Sequence, residues 1–239
     1  MSVIGTMART MHDSLRSGAP LRPFDSGRPW YRYAERLVPT RPGRFLDLGC
    51  GRGEFVSGLA IPDDAHPLGL DRERTNAASA HTEGVPALVA DLERALPIAS
   101  NSLDGVSLIE VIEHIPGAEA LVDEIARVLR PGGWFLVTTP NVAHLTYRIR
   151  ALTGHPPKQE GYHFRFFTAR TLRACIEARG FRLDARASYG KQALLTKLAR
   201  LRSTGRSNDR DPRDKVRYRV PVPLEPLLAQ HFVWLFTRL

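Results

Sequence analysis

One short stretch constrains the fold of this chain more than any other. Phe45–Phe55 holds an apolar run that contains a single acid, followed by three alternating glycines and the start of a helical pattern. This order is typical of a strand, a tight turn and a helix, which is where an open α/β sheet binds a nucleoside-containing cofactor. The stretch therefore predicts an α/β fold with a cofactor site at the turn.

The spacing of these glycines disfavours a dinucleotide. The dinucleotide pattern Gly-x-Gly-x-x-Gly, begun at Gly49 and Gly51, requires a third glycine where the chain has Glu54. A carboxylate at the N-terminus of the following helix would repel a pyrophosphate. We therefore expect a cationic cofactor without phosphates, and an NAD-dependent oxidoreductase is the weakest functional alternative.

The bulk composition is that of a single globular domain. A chain of 239 residues can bury one sizeable core, and it has neither a 20-residue apolar run nor an apolar signal region. Cys50 and Cys175 are too few for a disulfide framework and predict reduced thiols. We predict a cytoplasmic protein with a loosely ordered arm over residues 1–26 and one domain over residues 27–239.

Strands and helices are predicted to alternate along the chain. The predicted strands are Phe45–Leu48, Pro67–Asp71, Pro86–Asp91, Leu103–Glu110, Trp134–Thr139, Phe181–Ser188 and His231–Thr237. The predicted helices are Trp30–Val38, Glu54–Ala60, Glu73–His81, Ala118–Arg130 and one that begins after an N-cap at Thr168. Pro131-Gly132-Gly133 is expected to separate the fourth of these helices from the fifth strand. Such alternation predicts a mostly parallel sheet with helices on both faces.

Acidic residues end several of the predicted strands. Asp71, Asp91 and Glu110 each stand at the carboxyl end of a strand, on the same sheet edge as the glycine turn. Ligands of open α/β sheets bind outside that edge. The alternative role for Asp71 and Asp91 is to cap the helix that follows each of them.

Five ordered motifs together identify a family. They are Leu46–Gly53, Gly69–Asp71, Ala90–Leu92, Leu108–His114 and Leu129–Gly133. In this order they resemble the class I S-adenosylmethionine-dependent methyltransferases over about Arg44 to Phe181. The resemblance implies a Rossmann-like seven-strand methyltransferase sheet, mostly parallel with a last antiparallel strand, and S-adenosylmethionine as the cofactor.

The same resemblance implies roles for the residues of the turn. Gly49, Gly51 and Gly53 let the backbone turn sharply and approach the methionine part of the cofactor, where a Cβ would clash. Asp47 is expected to position the methionine amino group.

The acids farther along the chain are expected to hold the nucleoside. By resemblance, Asp71 accepts hydrogen bonds from the two ribose hydroxyls, and Asp91 with Leu92 holds the adenine. Glu110 is expected to contact the cofactor from the end of the fourth strand.

Histidines and acids near the fourth strand predict the acceptor chemistry, and three hypotheses remain open. In the first, His114 or His163 is a general base that deprotonates a hydroxyl. In the second, Glu110, Glu113, His114 and His163 hold a divalent metal. In the third, these side chains support the cofactor, a helix cap and a loop without touching the acceptor.

The metal hypothesis rests on two narrower resemblances. The four side chains are similar to a constellation in small-RNA 3′-end 2′-O-methyltransferases. The Glu-x-x-Glu-His part, from Glu110 to His114, also occurs in ubiquinone-pathway O-methyltransferases.

We predict O-methylation by in-line transfer to a small-molecule, saccharide or lipid-linked acceptor. The long stretch over residues 140–167 is expected to form the acceptor loop. An RNA 2′-O-methyltransferase that uses a divalent metal is one alternative, and a non-catalytic regulatory protein that binds S-adenosylmethionine is another.

Most of the positive charge lies near the C-terminal end. The chain has a net charge of +9, and residues 191–219 hold ten Lys or Arg against three acids. Such a segment can attract nucleic acid or an anionic membrane surface. We favour a solvated basic insertion over residues 190–229, before the last strand, because no aromatic residue interleaves the charges before Tyr218.

Overall fold

The structure is a computed structural model that describes residues 28–155, 162–191 and 217–239. The predicted N-terminal arm and most of the basic segment lie outside these residues, as do residues 156–161 of the acceptor loop. None of the described helices has the length and apolar character needed to cross a bilayer.

A single sheet forms the centre of the molecule. Its strands are β1 (Gly43–Leu48), β2 (Ala65–Asp71), β3 (Ala87–Val89), β4 (Leu103–Ile109), β5 (Leu129–Pro140), β6 (Phe181–Arg186), β7 (Tyr189–Lys191), β8 (Arg217–Arg219) and β9 (His231–Arg238). Their order is β3-β2-β1-β4-β5-β9-β7-β8, and β6 also pairs with β9. The first five strands are parallel, whereas β9 runs antiparallel to β5. The predicted mostly parallel sheet with an antiparallel last strand is confirmed, and two short strands extend it at one edge.

Helices cover the sheet and connect its strands. They are α1 (Pro29–Glu35), α2 (Glu54–Ser57), α3 (Arg74–Thr82), α4 (Ala118–Val128), α5 (Leu145–Leu152), α6 (Ala169–Glu177) and α7 (Glu225–Leu228). The predicted N-cap at Thr168 is confirmed, because its side chain accepts from the Thr171 backbone N–H and the two residues form a reciprocal capping box.

Alternate side chains of the strands fill two separate cores. On β5, Phe135 and Val137 belong to a core with α4 and α6, whereas Trp134 and Leu136 belong to a core with α1 and α2. Successive side chains of a strand point to opposite faces, so each strand contributes to both cores. This division is the reason why helices are needed on both sides of the sheet. Cys50 and Cys175 are buried free thiols, as predicted.

Most element boundaries differ from the predictions by a few residues, and three differences matter for the site. The Pro131-Gly132-Gly133 stop is wrong, since β5 begins at Leu129 and includes it. The strand tolerates these residues because its register with β4 is already irregular there, and Gly132 takes a φ of +77°. In addition, α2 ends at Ser57 instead of residue 60, and the acceptor loop contains the helix α5.

Candidate functional site

The glycine turn after β1 is fixed by backbone geometry. Gly49, Gly51 and Gly53 have φ values of +70°, +54° and +79°, a region that other residues enter only with strain. The N–H groups of Gly49 and Cys50 donate to the Leu70 carbonyl at 2.7 and 3.0 Å, so the turn is attached to the end of β2.

The space around each glycine indicates whether protein packing or room for a ligand accounts for the missing side chain. A Cβ on Gly49 would lie 2.6 Å from the Val111 side chain, and one on Gly53 would lie 3.2 Å from Ala80. A Cβ on Gly51 would meet no protein atom within 4 Å. Protein packing thus explains two of the glycines, while Gly51 borders open space that its missing side chain leaves available. That space fits a cofactor lying against the turn.

Asp71 ends β2 and faces the same turn. One of its carboxylate oxygens accepts the Gly51 N–H at 2.9 Å, and the other accepts from the Glu73 N–H at 2.8 Å and the Asn76 amide at 3.2 Å. The N-cap position of α3 is Glu73, so Asp71 does not occupy the cap itself. The carboxylate therefore lies beside the open space at Gly51, where the resemblance predicts the ribose.

Asp47 gives this region an unusual electrostatic character. Its side chain is 2% exposed and accepts a hydrogen bond of 2.6 Å from the Ser107 hydroxyl. Burial raises the pKa of Asp47 to about 7; the Ser107 hydrogen bond opposes this rise, and the nearby Asp71 adds to it. A cationic ligand would favour the ionised form, so the pair of acids suits a positively charged cofactor better than a phosphate.

Asp91 and Leu92 lie beyond the end of β3. The Asp91 carboxylate accepts the Glu93 N–H at 3.0 Å and lies 3.6 Å from the Arg94 guanidinium, while Leu92 is buried in the larger core. Because β3 pairs with β2 up to Asp71, both residues lie at the functional edge of the sheet. Their predicted contact with adenine remains a prediction.

Glu110 follows β4 in a strained backbone conformation. Its φ of +55° is uncommon for a residue with a side chain and is often found at functional sites. The Thr138 hydroxyl donates to one Glu110 carboxylate oxygen at 2.8 Å, and the Glu110 N–H donates to the Thr138 carbonyl at 3.1 Å. No sequence motif predicts this strain or the link to β5.

His231 is the functional-site residue that the sequence analysis missed. Its Nδ1 lies 2.8 Å from the other Glu110 oxygen, and its ring stacks on both Trp30 and Tyr189. In the sequence, His231 stands only as the first residue of the predicted last strand. One signal was available: an antiparallel last strand must begin at the edge where β5 ends, and His231 pairs with Pro140.

An open pocket lies at the same edge. Its lining residues are Glu113, Pro140, Val142, Tyr147, His163, Arg165, Phe166 and His231. The pocket therefore joins Glu113 and His163 from the predicted acceptor set with His231, whereas His114 and Glu110 do not line it. Residues from the predicted acceptor loop form most of its wall.

Three of the four predicted metal ligands lie close together. Glu113, His114 and His163 each offer a ligand atom, and these atoms lie within 4.8 Å of one another. Glu110 is not part of this group, because its two oxygens face Thr138 and His231.

The surroundings of Glu113 and His114 bear on the general-base and the metal hypotheses. Burial and the nearby Glu110 charge raise the pKa of Glu113 well above its usual range, against a hydrogen bond from the Thr139 hydroxyl. His114 Nδ1 lies 2.8 Å from the Tyr162 carbonyl oxygen, which fixes the orientation of its ring. A metal would have to displace the proton that burial favours on Glu113.

The loop that carries His163 is attached firmly to the sheet edge. The N–H groups of Phe164 and Arg165 donate to the Glu113 carbonyl at 2.9 and 3.0 Å. The Arg165 guanidinium also forms an ion pair with Glu119 and donates to the Pro116 carbonyl at 3.2 Å. These contacts hold this wall of the pocket in register with the end of β4.

The sheet order and the glycine turn define a class of cofactor-binding α/β proteins, and comparison with known proteins narrows it to one family. The family model described as "Methyltransferase domain" matches residues 26–186. The match covers more than half of the chain, so the chain belongs to the class I S-adenosylmethionine-dependent methyltransferases.

Individual relatives agree with this assignment. A probable S-adenosylmethionine-dependent methyltransferase of Mycolicibacterium smegmatis is 33% identical over 162 residues, which cover 65% of this chain and 60% of the relative. The mitochondrial ubiquinone biosynthesis O-methyltransferase of Mus musculus is 28% identical over 203 residues, which cover 74% of this chain and 54% of the relative. The chain thus spans less than two thirds of the length of either protein.

A solved structure supports the fold. The S-adenosylmethionine-dependent methyltransferase of Archaeoglobus fulgidus has a TM-score of 0.61 and 19% identity, over 87% of this chain and 92% of that one. At this identity the likeness shows the fold alone.

Proposed function

We propose that the chain transfers a methyl group from S-adenosylmethionine to a hydroxyl oxygen of a small molecule. The observation that carries the proposal is the pocket with Glu113 and His163 on the sheet edge that also carries the glycine turn. The relative from Mus musculus is named as an O-methyltransferase, which supports oxygen as the acceptor atom.

On the cofactor side, the chain supplies shape and charge. S-adenosylmethionine, when bound, supplies a methyl group on a cationic sulfur that is already activated for displacement. Gly51 leaves room for it, Asp71 is positioned for the ribose hydroxyls, and Asp47 for the amino group. In the same proposal Asp91 and Leu92 hold the adenine.

On the acceptor side, we assign His163 as the general base. His163 lines the pocket, while His114 does not and has its Nδ1 against a backbone carbonyl. Tyr147 and Phe166 give the pocket apolar walls, which favours an acceptor with an apolar body and one reactive hydroxyl. A base next to that hydroxyl increases the nucleophilicity of its oxygen, and exclusion of water and alignment supply the rest.

The test has a binding stage and a turnover stage. Calorimetry with S-adenosylmethionine and with NAD should show binding of the first alone. Transfer of labelled methyl is then measured with simple phenols and catechols, saccharides, and RNA with a free 3′ end. We expect label on a small hydroxyl compound, and label on RNA alone would contradict the proposed acceptor class. Tight binding with no transfer to any acceptor would favour a regulatory protein.

A metal-assisted reaction is a second candidate, favoured by the close approach of Glu113, His114 and His163. A divalent ion there would polarise the acceptor hydroxyl, as in the RNA 2′-O-methyltransferase alternative. In that case a chelator should abolish turnover, and His114→Ala should be as damaging as His163→Ala. With His163 acting as a base alone, turnover should survive chelation and His114→Ala should retain most of it.

A further inference from the structure

His231 has a fixed orientation that the proposed reaction does not yet use. Its ring stacks on Trp30 with centroids 5.3 Å apart and planes at 25°, and on Tyr189 at 5.4 Å and 2°. Both neighbouring rings are close to parallel with the histidine ring. Tyr189 is itself stacked on Tyr33 at 4.8 Å. The ring can turn out of its plane only if one of these neighbours moves.

Glu110 determines which nitrogen of His231 is left for a ligand. The Glu110 carboxylate lies 2.8 Å from Nδ1, which is fully buried. Nδ1 has no hydrogen-bond partner among the residues that the structure describes, so its contact with the carboxylate is electrostatic. A carboxylate on this side favours the proton on Nδ1, and the lone pair is then on Nε2.

Because Nδ1 is buried, the opposite edge of the ring, which carries Nε2, is the edge available to the acceptor pocket. His231 is one of the residues that line it, and among the described side chains and backbone groups none forms a hydrogen bond with Nε2. A group bound in the pocket is therefore the partner that this nitrogen can acquire.

We propose that His231 is an acceptor-binding residue, whose Nε2 accepts a hydrogen bond from the acceptor hydroxyl, and that Glu110 is its positioning residue. The proposal rests on the proposed function, since it concerns the acceptor of the same reaction. It gives a purpose to the strained backbone of Glu110, because that conformation directs the carboxylate between Thr138 and His231.

The competing role for His231 is packing within the ring stack, and His231→Phe separates the two. Phenylalanine keeps an aromatic ring against Trp30 and Tyr189 but has no nitrogen. We expect the KM for the acceptor to rise about tenfold, the loss of one hydrogen bond, with the Kd for S-adenosylmethionine and the Tm unchanged. His231→Gln should restore part of the affinity, since its amide reaches the place of Nε2. His66→Phe, on the exposed amino end of β2, is the matched control.

A double-mutant cycle tests the role of Glu110. Glu110→Gln should raise the acceptor KM in the wild-type background and add nothing in His231→Phe, because a positioning residue acts only through its partner. An unchanged acceptor KM in His231→Phe would overturn the proposal.

A binding measurement separates failure of this inference from failure of the proposed function. In protein labelled with ¹⁵N-histidine, the His231 Nε2 resonance is identified as the one that is lost in His231→Phe. The position of that resonance is then measured while catechol and the small hydroxyl compounds of the turnover panel are added. A shift of that resonance without any methyl transfer supports the inference and contradicts the proposed function. Methyl transfer with no shift and a normal KM in His231→Phe contradicts the inference alone. If neither a shift of the resonance nor methyl transfer is observed, the inference and the proposed function are both contradicted.

Discussion

The cofactor side and the acceptor side of this sheet edge are built in different ways. On the cofactor side, backbone N–H groups of the glycine turn donate to the Leu70 carbonyl and the Asp71 carboxylate at the end of the neighbouring strand β2. The acceptor side is held by side chains from segments far apart in the chain, as in the contact between Glu110 and His231. Neighbouring residues encode the glycine turn and the strand ends on the first side, whereas the contact between Glu110 and His231 has no local motif and exists only after β5 and β9 have paired.

The two sides also use buried acids differently. Asp47 is paired with a neutral hydroxyl and has a pKa of about 7, so it responds to the charge of a bound cofactor. Glu113 shares its surroundings with another acid and with histidines, so its charge is linked to the acceptor chemistry. Variants on one side should therefore leave the measured properties of the other side intact.

The largest expected effect is on the acceptor side. His163→Ala should lower kcat by about 100- to 10,000-fold, the range for loss of a general base, while the Kd for S-adenosylmethionine stays unchanged. Steady-state kinetics and calorimetry measure the two quantities, and His114→Ala is the control. A fall in cofactor affinity in His163→Ala would break the division between the two sides.

The next effect is a dependence of stability on pH. Asp47 ionises near 3.8 when unfolded and near 7 when folded, so between these values the folded state binds more protons and stability falls as pH rises. The Asp47→Asn variant has no carboxyl to ionise at this position, so it does not lose stability in this way as pH rises. Its free energy of unfolding should exceed that of the wild type by about 2–4 kcal/mol above pH 7, with the difference vanishing near pH 4.

Denaturant unfolding across this pH range, without ligand, measures the effect. A constant difference between the two proteins would show that the Asp47 carboxyl is not protonated in the fold. In the presence of S-adenosylmethionine the wild type should regain stability above pH 7 more than Asp47→Asn does.

The glycine turn offers a sharper comparison within the cofactor side. Gly51→Ala and Gly132→Ala both place a Cβ at positive φ with no protein atom within 4 Å. Each should lose about 1–2 kcal/mol of stability from backbone strain. Only Gly51→Ala should weaken binding of S-adenosylmethionine, by about tenfold or more. Equal affinities in calorimetry would mean that the open space at Gly51 does not receive the cofactor.

The smallest effect concerns the attachment of the pocket wall. Glu119→Gln removes the ion pair with Arg165, and we expect about a twofold rise in acceptor KM, since partly exposed pairs contribute less than about 1 kcal/mol. Glu177→Gln removes a comparable ion pair with Arg173 on α6 and should leave KM unchanged. Similar kinetics in the two variants would show that this pair does not hold the wall.

Sequence-based prediction succeeded for features that depend on residues close together in the chain and failed where distant segments pair. The turn after β1, the acid that ends β2 and the cap at Thr168 are each encoded within a few residues, and each was found where it was predicted. The predicted separation of helix and strand at Pro131–Gly133 was wrong because β5 pairs with β4 on both sides of these residues, at Leu129 and again from Trp134. Tertiary pairing overcame local propensity there.

The sequence by itself determined the class of fold, the family and the position of the glycine turn, because a strand, a glycine turn and a helix need only neighbouring residues. The tertiary structure alone decided the acceptor side. Among the described residues it separated Glu110 from the group of Glu113, His114 and His163, and it brought His231 to the pocket. Those contacts depend on which strand pairs with which, and the spacing of residues along one chain does not contain that information.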